Sequence, residues 1–348
     1  MIEPIRKRPV GRSSLSLSVF GLGGTGLGNM YRAVEDRAAL NLVAAAYSSG
    51  IRYFDTAPVY GFGLSESRLG QSLAGLPREQ IVVSTKVGYR LVPLRSGEGS
   101  WALWDQTPPY RTEYDFSREA TLRSLEGSLE RLRLDRLDMV AIHDPDEAMG
   151  IDAAADPYAK SHFAEAMDGA YRALHDLRSQ GAIGAIGVGI NQWQMLVDFA
   201  KEGEFDYFLL AGRYTLLEQQ ALVTLLPLCL QRGISLVVGG PYNSGILASG
   251  AVAGAYYNYA PAAPEILERV RRIEAICESF KVPLRAAALQ FPLGHPAVAA
   301  VIPGARSTRE LDENLAAFRE SIPEGLWATL KEEKLIEPAA PVPTGNGA

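Results

Sequence analysis

Cysteine is nearly absent from this chain: Cys229 and Cys277 are the only two in 348 residues, far apart and without metal-ligand spacing. That excludes a disulfide framework and a thiolate metal centre, and both cysteines read as core thiols of a protein kept in a reducing compartment such as the cytoplasm. Positive charge is also short. Thirty-four Lys and Arg stand against forty Asp and Glu, a formal net charge of −6, and no run of basic residues interleaved with aromatics occurs. A polyanion has nothing to hold, so nucleic acid is excluded as a partner. Long apolar runs are missing too: a stretch such as Ser235-Leu236-Val237-Val238-Gly239 falls far short of the roughly 20 residues that span a bilayer. The start, Met1-Ile2-Glu3-Pro4-Ile5-Arg6, has no apolar segment behind its charges, so neither a membrane nor an export signal is expected. What remains is a cytoplasmic protein, a monomer or small homo-oligomer, whose partner is a small molecule.

What is present is a series of short apolar strands, each stopping on an ionisable group. Ile51-Arg52-Tyr53-Phe54-Asp55 reads as a buried strand, and Pro58 and Gly61 force a loop that carries Tyr60. Val82-Val83-Ser84-Thr85-Lys86 ends on a cation, and Leu137-Asp138-Met139-Val140-Ala141-Ile142-His143 ends on an imidazole. A Tyr beside a Lys and a His is a proton-transfer set: an ammonium stabilises phenolate, and the expected effect is to lower the Tyr60 pKa towards working pH.

The rest of the chain repeats the alternation. Residues 8–17 suggest a hairpin or cap before a first strand at Leu17–Gly23, and a helix begins near Asp36 and is closed by Gly50. Ser65 is expected to cap a helix to Leu73, and Ser117 one that carries Leu122, Leu125, Leu129 and Leu132. Residues 87–116 read as a long irregular loop, and Asp144-Pro145-Asp146 opens another. A helix over 162–180 precedes four more strands, ending at Asn191, Leu210, Gly239 and Gly304. Helices are expected near 193–201, 218–232, 265–280, 284–293 and 308–318. Eight strands alternating with helices predict an α/β (β/α)8 TIM barrel over residues 1–337, with an N-terminal hairpin and long loops on the C-terminal face. Residues 338–348, rich in Pro, Gly and Ala, read as a disordered tail.

Gly21-Leu22-Gly23-Gly24-Thr25-Gly26 matches the G-x-G-x-x-G pattern of dinucleotide-binding βαβ units. That fingerprint requires a helix to open on the glycines, and here Gly28-Asn29-Met30-Tyr31-Arg32 intervenes. The glycines instead let the backbone pass close to a neighbour at the strand's end.

In such a barrel all strand C-termini face one way, so Gly23, Asp55, Tyr60, Lys86, His143, Asn191 and Gly304 converge. Singly, each has a structural explanation: an ion-pair carboxylate, a loop aromatic, a strand-end cation, a core histidine. Together and in this order, Phe54 to Gly61, Ser84-Thr85-Lys86, Ile142-His143 and Ile302-Pro303-Gly304-Ala305 through Glu313-Asn314 resemble the aldo-keto reductase superfamily over roughly residues 8–320. The resemblance implies a catalytic tetrad of Asp55, Tyr60, Lys86 and His143. Tyr60 would exchange a proton with the substrate oxygen, Lys86 and Asp55 would tune it, and His143 would orient that oxygen while a nicotinamide carries the hydride.

The resemblance also implies a nucleotide site. Asn191 matches the family's carboxamide-binding Asn, while Ala211 stands where many relatives have Gln. Gly239-Gly240-Pro241-Tyr242 replaces the usual aromatic-Ser-Pro-Leu, leaving Tyr242 or Trp193 to supply the stacking ring. Gly23, Pro241, Tyr242, Ser244, Gly304, Ala305, Glu310, Glu313 and Asn314 are the further cofactor positions. Where relatives that prefer NADPH carry Lys and Arg, this chain has Gly304 and Glu310; a carboxylate repels a 2′-phosphate and accepts from ribose hydroxyls, so NAD is expected. Arg306 and Arg309 leave NADP possible. Glu310 also suits a helix's first turn on electrostatic grounds alone.

The wording Asp55-Thr56-Ala57-Pro58-Val59-Tyr60-Gly61-Phe62-Gly63-Leu64-Ser65-Glu66, with Asp115-Phe116-Ser117 and Leu210-Ala211-Gly212-Arg213-Tyr214, is similar to the sugar 1-dehydrogenase branch: D-threo-aldose, L-fucose and galactose dehydrogenases, with pyridoxal 4-dehydrogenase a neighbour. That implies oxidation of a cyclic hemiacetal to a lactone, with Trp101, Trp104 and Asp144 against the substrate. The same tetrad serves an NADPH-dependent aldehyde or ketone reductase. Some barrels of the superfamily are non-enzymatic auxiliary subunits of channels, a reading that the complete tetrad opposes.

Overall fold

A computed structural model describes residues 3–99, 101–146 and 158–344. The chain opens with an antiparallel hairpin of β1 (Lys7–Pro9) and β2 (Ser16–Ser18), the cap expected from residues 8–17. The first barrel strand, β3, is short (Leu22–Gly23), and β4 (Tyr53–Asp55) and β5 (Val82–Val87) follow. An antiparallel pair, β6 (Tyr89–Pro93) and β7 (Tyr110–Tyr114), comes next, then β8 (Leu137–His143), β9 (Ile183–Ile190), β10 (Tyr207–Ala211) and β11 (Ser235–Gly239). A small hairpin of β12 (Tyr256–Tyr257) and β13 (Ala260–Pro261) precedes β14 (Val298–Ile302).

Eight of these strands form one parallel sheet in the order β14-β11-β10-β9-β8-β5-β4-β3. Its ends meet. Parallel bridges pair Phe20 with Val301 and Gly23 with Gly304, and the Gly21 N–H donates to the Val301 carbonyl at 2.9 Å, closing the sheet into the (β/α)8 barrel. Inside it, Tyr53, Met139, Ala141, Ala185, Tyr207, Leu209, Val237 and Ile302 form a packed core. Val10 and Leu17 of the hairpin join that core from below, and Arg8 donates to the carbonyls of Leu293 (3.0 Å) and Val298 (2.7 Å), so the hairpin is a floor.

Helices line the outside: α1 (Asp36–Ser48), α2 (Leu64–Leu73), α3 (Arg118–Leu132), then α4 (Phe163–Glu165) running through π-helical turns at Ala166–Tyr171 into α5 (Arg172–Ser179). After them come α6 (Trp193–Glu202), α7 (Leu225–Arg232), α8 (Ile246–Ser249), α9 (Pro264–Ser279), α10 (Leu284–Gln290), α11 (Thr308–Arg319) and α12 (Glu324–Glu332). The longer helices each bury a stripe of apolar residues in the core, and Ser117 caps α3 as expected, accepting from the Ala120 N–H at 3.2 Å. Cys229 and Cys277 are buried, and burial pushes both thiols up to about 12.

Several local expectations are corrected. The segment 87–116 is not irregular throughout, because alternation in Tyr89–Pro93 and Tyr110–Tyr114 lets them pair. Ser65 is inside α2; Gly63, at φ +92°, starts the helix, and the Ser65 hydroxyl donates to the Gly24 carbonyl at 2.8 Å. The helix expected over 218–232 is α7 preceded by a 3-10 turn at Gln220–Leu222, and α12 was not anticipated. The tail is not loose up to residue 344: Ala340 is fully buried, and a side chain on Gly294 would strike the Val342 backbone at 2.6 Å, so an apolar seat holds this segment despite its composition. The continuation of the loop after Asp146 and the last four residues lie outside the described residues.

Candidate active site

The glycines after β3 set the site's floor against its neighbours. A Cβ on Gly24 would lie 2.6 Å from the Asp55 carbonyl oxygen, and one on Gly28 2.6 Å from the Tyr60 carbonyl carbon. These close approaches to the protein's own backbone, and not a phosphate, explain the glycine pattern. No helix opens on them: a 3-10 turn covers Gly26–Gly28, and α1 starts at Asp36.

Asp55, Tyr60, Lys86 and His143 come together at the C-terminal ends of β4, β5 and β8. Lys86 is 1% exposed and spends all three ammonium protons: on Asp55 Oδ2 at 2.8 Å, on the Thr56 carbonyl at 2.8 Å and on the Tyr60 hydroxyl at 3.0 Å. Ser84 donates to Asp55 Oδ1 at 2.6 Å, and with its proton so used, Tyr53 donates to Ser84 at 3.1 Å. Since Tyr60 accepts from Lys86, its own proton is free to face the cavity.

The sequence expectation for the Tyr60 phenol is reversed. Burial first, then the Asp55 and Asp144 carboxyls, push it well above its ordinary value of 10.0. Asp55 cancels most of the ammonium's field, so desolvation wins and the phenol keeps its proton. His143 stands with its ring edge towards Tyr60, centroids 5.8 Å apart. Burial and then the Lys86 charge hold His143 well below 6.5, so it is neutral. Its Nδ1 is buried with no partner among the described residues and its Nε2 is 3.5 Å from Asp144 Oδ2, the arrangement of an Nε2–H tautomer. Burial, then Asp146, push Asp144 up to about 8.

Tyr60, His143 and Asp144 line a cavity of about 70 Å³ with Trp101, Trp104 and Asn191, so the three expected substrate residues and the Asn expected to hold the carboxamide do reach it. Trp104 leans over Tyr60 at 5.7 Å. Others miss it. Tyr242 gives its hydroxyl to Asn314 Oδ1 at 2.7 Å and packs with Trp193 against the outer core, so neither faces the cavity. In their place Tyr259, from the turn between β12 and β13, enters and donates to Asn191 Oδ1 at 3.3 Å, while its N–H reaches Ser244 Oγ at 2.9 Å.

Glu310 is engaged locally, accepting from the Arg306 N–H at 2.9 Å beside Ser307, which caps α11. Arg306 and Arg32 approach its other oxygen at 3.6 and 3.9 Å. Glu313 is held by Arg285 at 2.7 Å and Arg309 at 2.9 Å. Gly304 and Ala305 lie at the end of β14, where Gly304 faces Gly23; Pro241 lies just past β11. Gly212, Gly239, Gly240 and Gly304 leave the ends of β10, β11 and β14 bare of side chains, a cradle that suits a nucleotide brought close to backbone, with Asn191 at one end and the first turn of α11 at the other.

Two tyrosines of the cavity escaped the sequence reading, Tyr89 and Tyr259. Tyr89 opens β6 and could have been found from the strand alternation there; Tyr259 sits in a run of tyrosines around Asn258, a turn signal between two short strands.

The family model for the Aldo/keto reductase family matches residues 19–333. A pyridoxal 4-dehydrogenase of Microbacterium luteolum is 39% identical over 96% of this chain and 99% of its own length. A D-threo-aldose 1-dehydrogenase of a Pseudomonas species is 38% identical over 93% of this chain and 96% of its own. An aldo-keto reductase of Bacillus halodurans, solved in its holo form, shares the fold with a TM-score of 0.72 at 23% identity, covering 96% of this chain and 97% of that one. A family match over most of the barrel, with relatives of this identity along nearly the whole chain, leaves one assignment: the chain belongs to the Aldo/keto reductase family and is an oxidoreductase.

Proposed function

We propose that the protein oxidises the anomeric carbon of a cyclic hemiacetal to a lactone, with an aldose of the L-fucose or D-threo type as substrate and NAD as hydride acceptor. The observation that carries this reading is the Lys86–Tyr60–His143 arrangement opening on a cavity walled by Trp101 and Trp104, flat apolar faces that suit the C–H face of a pyranose.

The residues divide the work. Tyr60 and His143 Nε2 converge on the oxygen of the reacting carbon, Tyr60 taking its proton and His143 orienting it as a neutral donor. Lys86, locked by Asp55 and Thr56, keeps the Tyr60 oxygen in place and offsets the charge that forms there. Asn191 and the bare ends of β10, β11 and β14 would hold the nucleotide, with Glu310 near its ribose. When bound, the nucleotide would supply the hydride acceptor. Trp101, Trp104 and Asp144 exclude water and position the substrate.

A second reading, oxidation of pyridoxal to 4-pyridoxolactone, is favoured by the similarity to the pyridoxal 4-dehydrogenase. It uses the same hemiacetal chemistry. Initial-rate absorbance with NAD+ or NADP+ against L-fucose, D-arabinose, L- and D-galactose, L-xylose and pyridoxal separates the two. Sugar-dependent NADH formation supports the first, pyridoxal alone the second. Silence with all of them, and NADPH oxidation with simple aldehydes, would show a reductase.

A further inference from the structure

Asp144 is a non-glycine residue at φ +44°, in the left-handed region, immediately after His143. Successive residues of a strand face opposite sides. Here the left-handed turn, pinned by the Asp144 N–H donating to the Gly189 carbonyl at 3.0 Å, brings both His143 and Asp144 into one cavity. Strain held at such a position is characteristic of a working site.

The carboxyl is not left to float. The Tyr89 hydroxyl donates to Asp144 Oδ2 at 3.1 Å and is itself 2.9 Å from the Tyr114 hydroxyl, so the pair spans β6, β7 and the end of β8. Both residues are buried. Among the described residues Asp144 Oδ1 accepts no hydrogen bond, which leaves that oxygen as an acceptor for a bound group. Trp104 lines the same cavity, and its buried Nε1 is a donor with no partner among the described residues. An unused acceptor and an unused donor are the complement of a hydroxyl group, which gives one proton and accepts others.

The place of that hydroxyl follows from His143. A substrate oxygen bonded to Nε2 lies about 3 Å from it, and Asp144 Oδ2 lies 3.5 Å from the same nitrogen. Vicinal oxygens of a sugar are separated by about one hydrogen-bond length, so the oxygen on the carbon next to the reacting one falls against the Asp144 carboxyl.

We infer that the Tyr89–Asp144 pair reads a hydroxyl on the carbon neighbouring the reacting centre, making it the specificity element of this site. The inference rests on the hemiacetal-oxidising reading above and narrows it to hemiacetals that carry such a hydroxyl, as an aldose does at C2; the ring 3-OH of pyridoxal stands one carbon further from the reacting carbon and does not meet that description.

The test compares the best hemiacetal substrate with its deoxy counterpart lacking that hydroxyl, by kcat/KM with NAD+ and by quenching of tryptophan fluorescence on binding of the two corresponding lactones. The wild-type protein is expected to prefer the hydroxylated substrate by roughly 100-fold or more, because the deoxy compound leaves buried polar groups unpaired. Asp144→Asn and Tyr89→Phe should each shrink that ratio to below about tenfold. Equal use of both compounds by the wild type overturns the inference while leaving hemiacetal oxidation intact, and so does a ratio unchanged in Asp144→Asn. No turnover of any hemiacetal overturns both, and if both variants fail to fold, the wild-type ratio and the lactone affinities still decide.

Discussion

The Lys86 ammonium reaches the Tyr60 hydroxyl at 3.0 Å while its other two protons are committed to Asp55 and to the Thr56 carbonyl. Lys86 is therefore a fixed donor and not a mobile acid, and Tyr60 is the group that can exchange a proton with a bound oxygen. Tyr60→Phe should lower kcat by on the order of 10³-fold or more with NADH binding, read by fluorescence titration, nearly unchanged. A Phe variant within tenfold of wild type would remove Tyr60 from the proton transfer.

The raised Tyr60 pKa has a direction in pH. Oxidation needs the phenol to give up its proton first, and reduction needs it present. Oxidative kcat should therefore climb from pH 7 towards pH 10, while reductive kcat stays level or falls. Paired profiles in both directions check this, and an oxidative rate flat across the range contradicts it.

Asp55→Asn removes the only carboxylate that, among the described residues, is bonded to a lysine that is 1% exposed. An uncompensated buried charge costs about 3–5 kcal/mol. Thermal unfolding should show a clear drop in Tm, and Asp55→Asn combined with Lys86→Met should recover part of it, with neither variant regaining activity. A double variant no more stable than the single one would argue against the buried-charge explanation.

Glu310 keeps the Arg306 N–H and two guanidiniums occupied at the start of α11. Glu310→Arg should release Arg32 and Arg306 to a 2′-phosphate and move the NADP/NAD ratio of kcat/KM upward by roughly tenfold or more, about 1.4 kcal/mol. The lost cap contact should cost about 1 kcal/mol of stability. Measuring the ratio with both nucleotides is sufficient; if it does not move, this carboxylate does not read the 2′ position.

His295, buried at the entrance to β14, accepts the Ala297 N–H on Nδ1 at 3.2 Å, and burial lowers it to about 4. A histidine depressed in the fold stabilises it fully above the unfolded value of 6.5, and the contribution is lost as pH falls towards 4. The loss is at most about 3 kcal/mol. Denaturant midpoints at pH 7 and pH 4.5 should fall steeply for wild type and less for His295→Leu, which starts lower for want of the Ala297 bond.

The barrel and the tetrad were legible because both are local. Each strand is an apolar run with a clear end, and Asp55, Lys86 and His143 are the last or nearly last residues of their strands, so topology alone gathers them. Tyr259 was not legible, since it arrives from a hairpin past β11 and depends on a turn that puts Asn258 and Tyr259 at φ +50° and +67°. Tyr242 and Trp193, expected as stacking rings because they follow strand ends in sequence, pack against the outer core and are not among the residues that line the cavity. The Tyr60 pKa misled because a lysine's effect on a phenol depends on what else neutralises that lysine, and the 2.8 Å contact with Asp55 exists only in the fold. The seated tail shows the same limit of composition, since a Pro-rich segment packs when a groove such as that beside Gly294 is there to receive it.

The closure between β3 and residues 301–304 joins the beginning of the chain to a stretch near its end. During synthesis the nascent sheet therefore grows with two open edges, and the amino-terminal floor waits for Leu293 and Val298 before Arg8 has its acceptors. A ribosome stalled, or a gene truncated, before about this point would release a half-ring whose unpaired strand edges invite pairing with other chains, so the last fifth of the message protects the first four from aggregation.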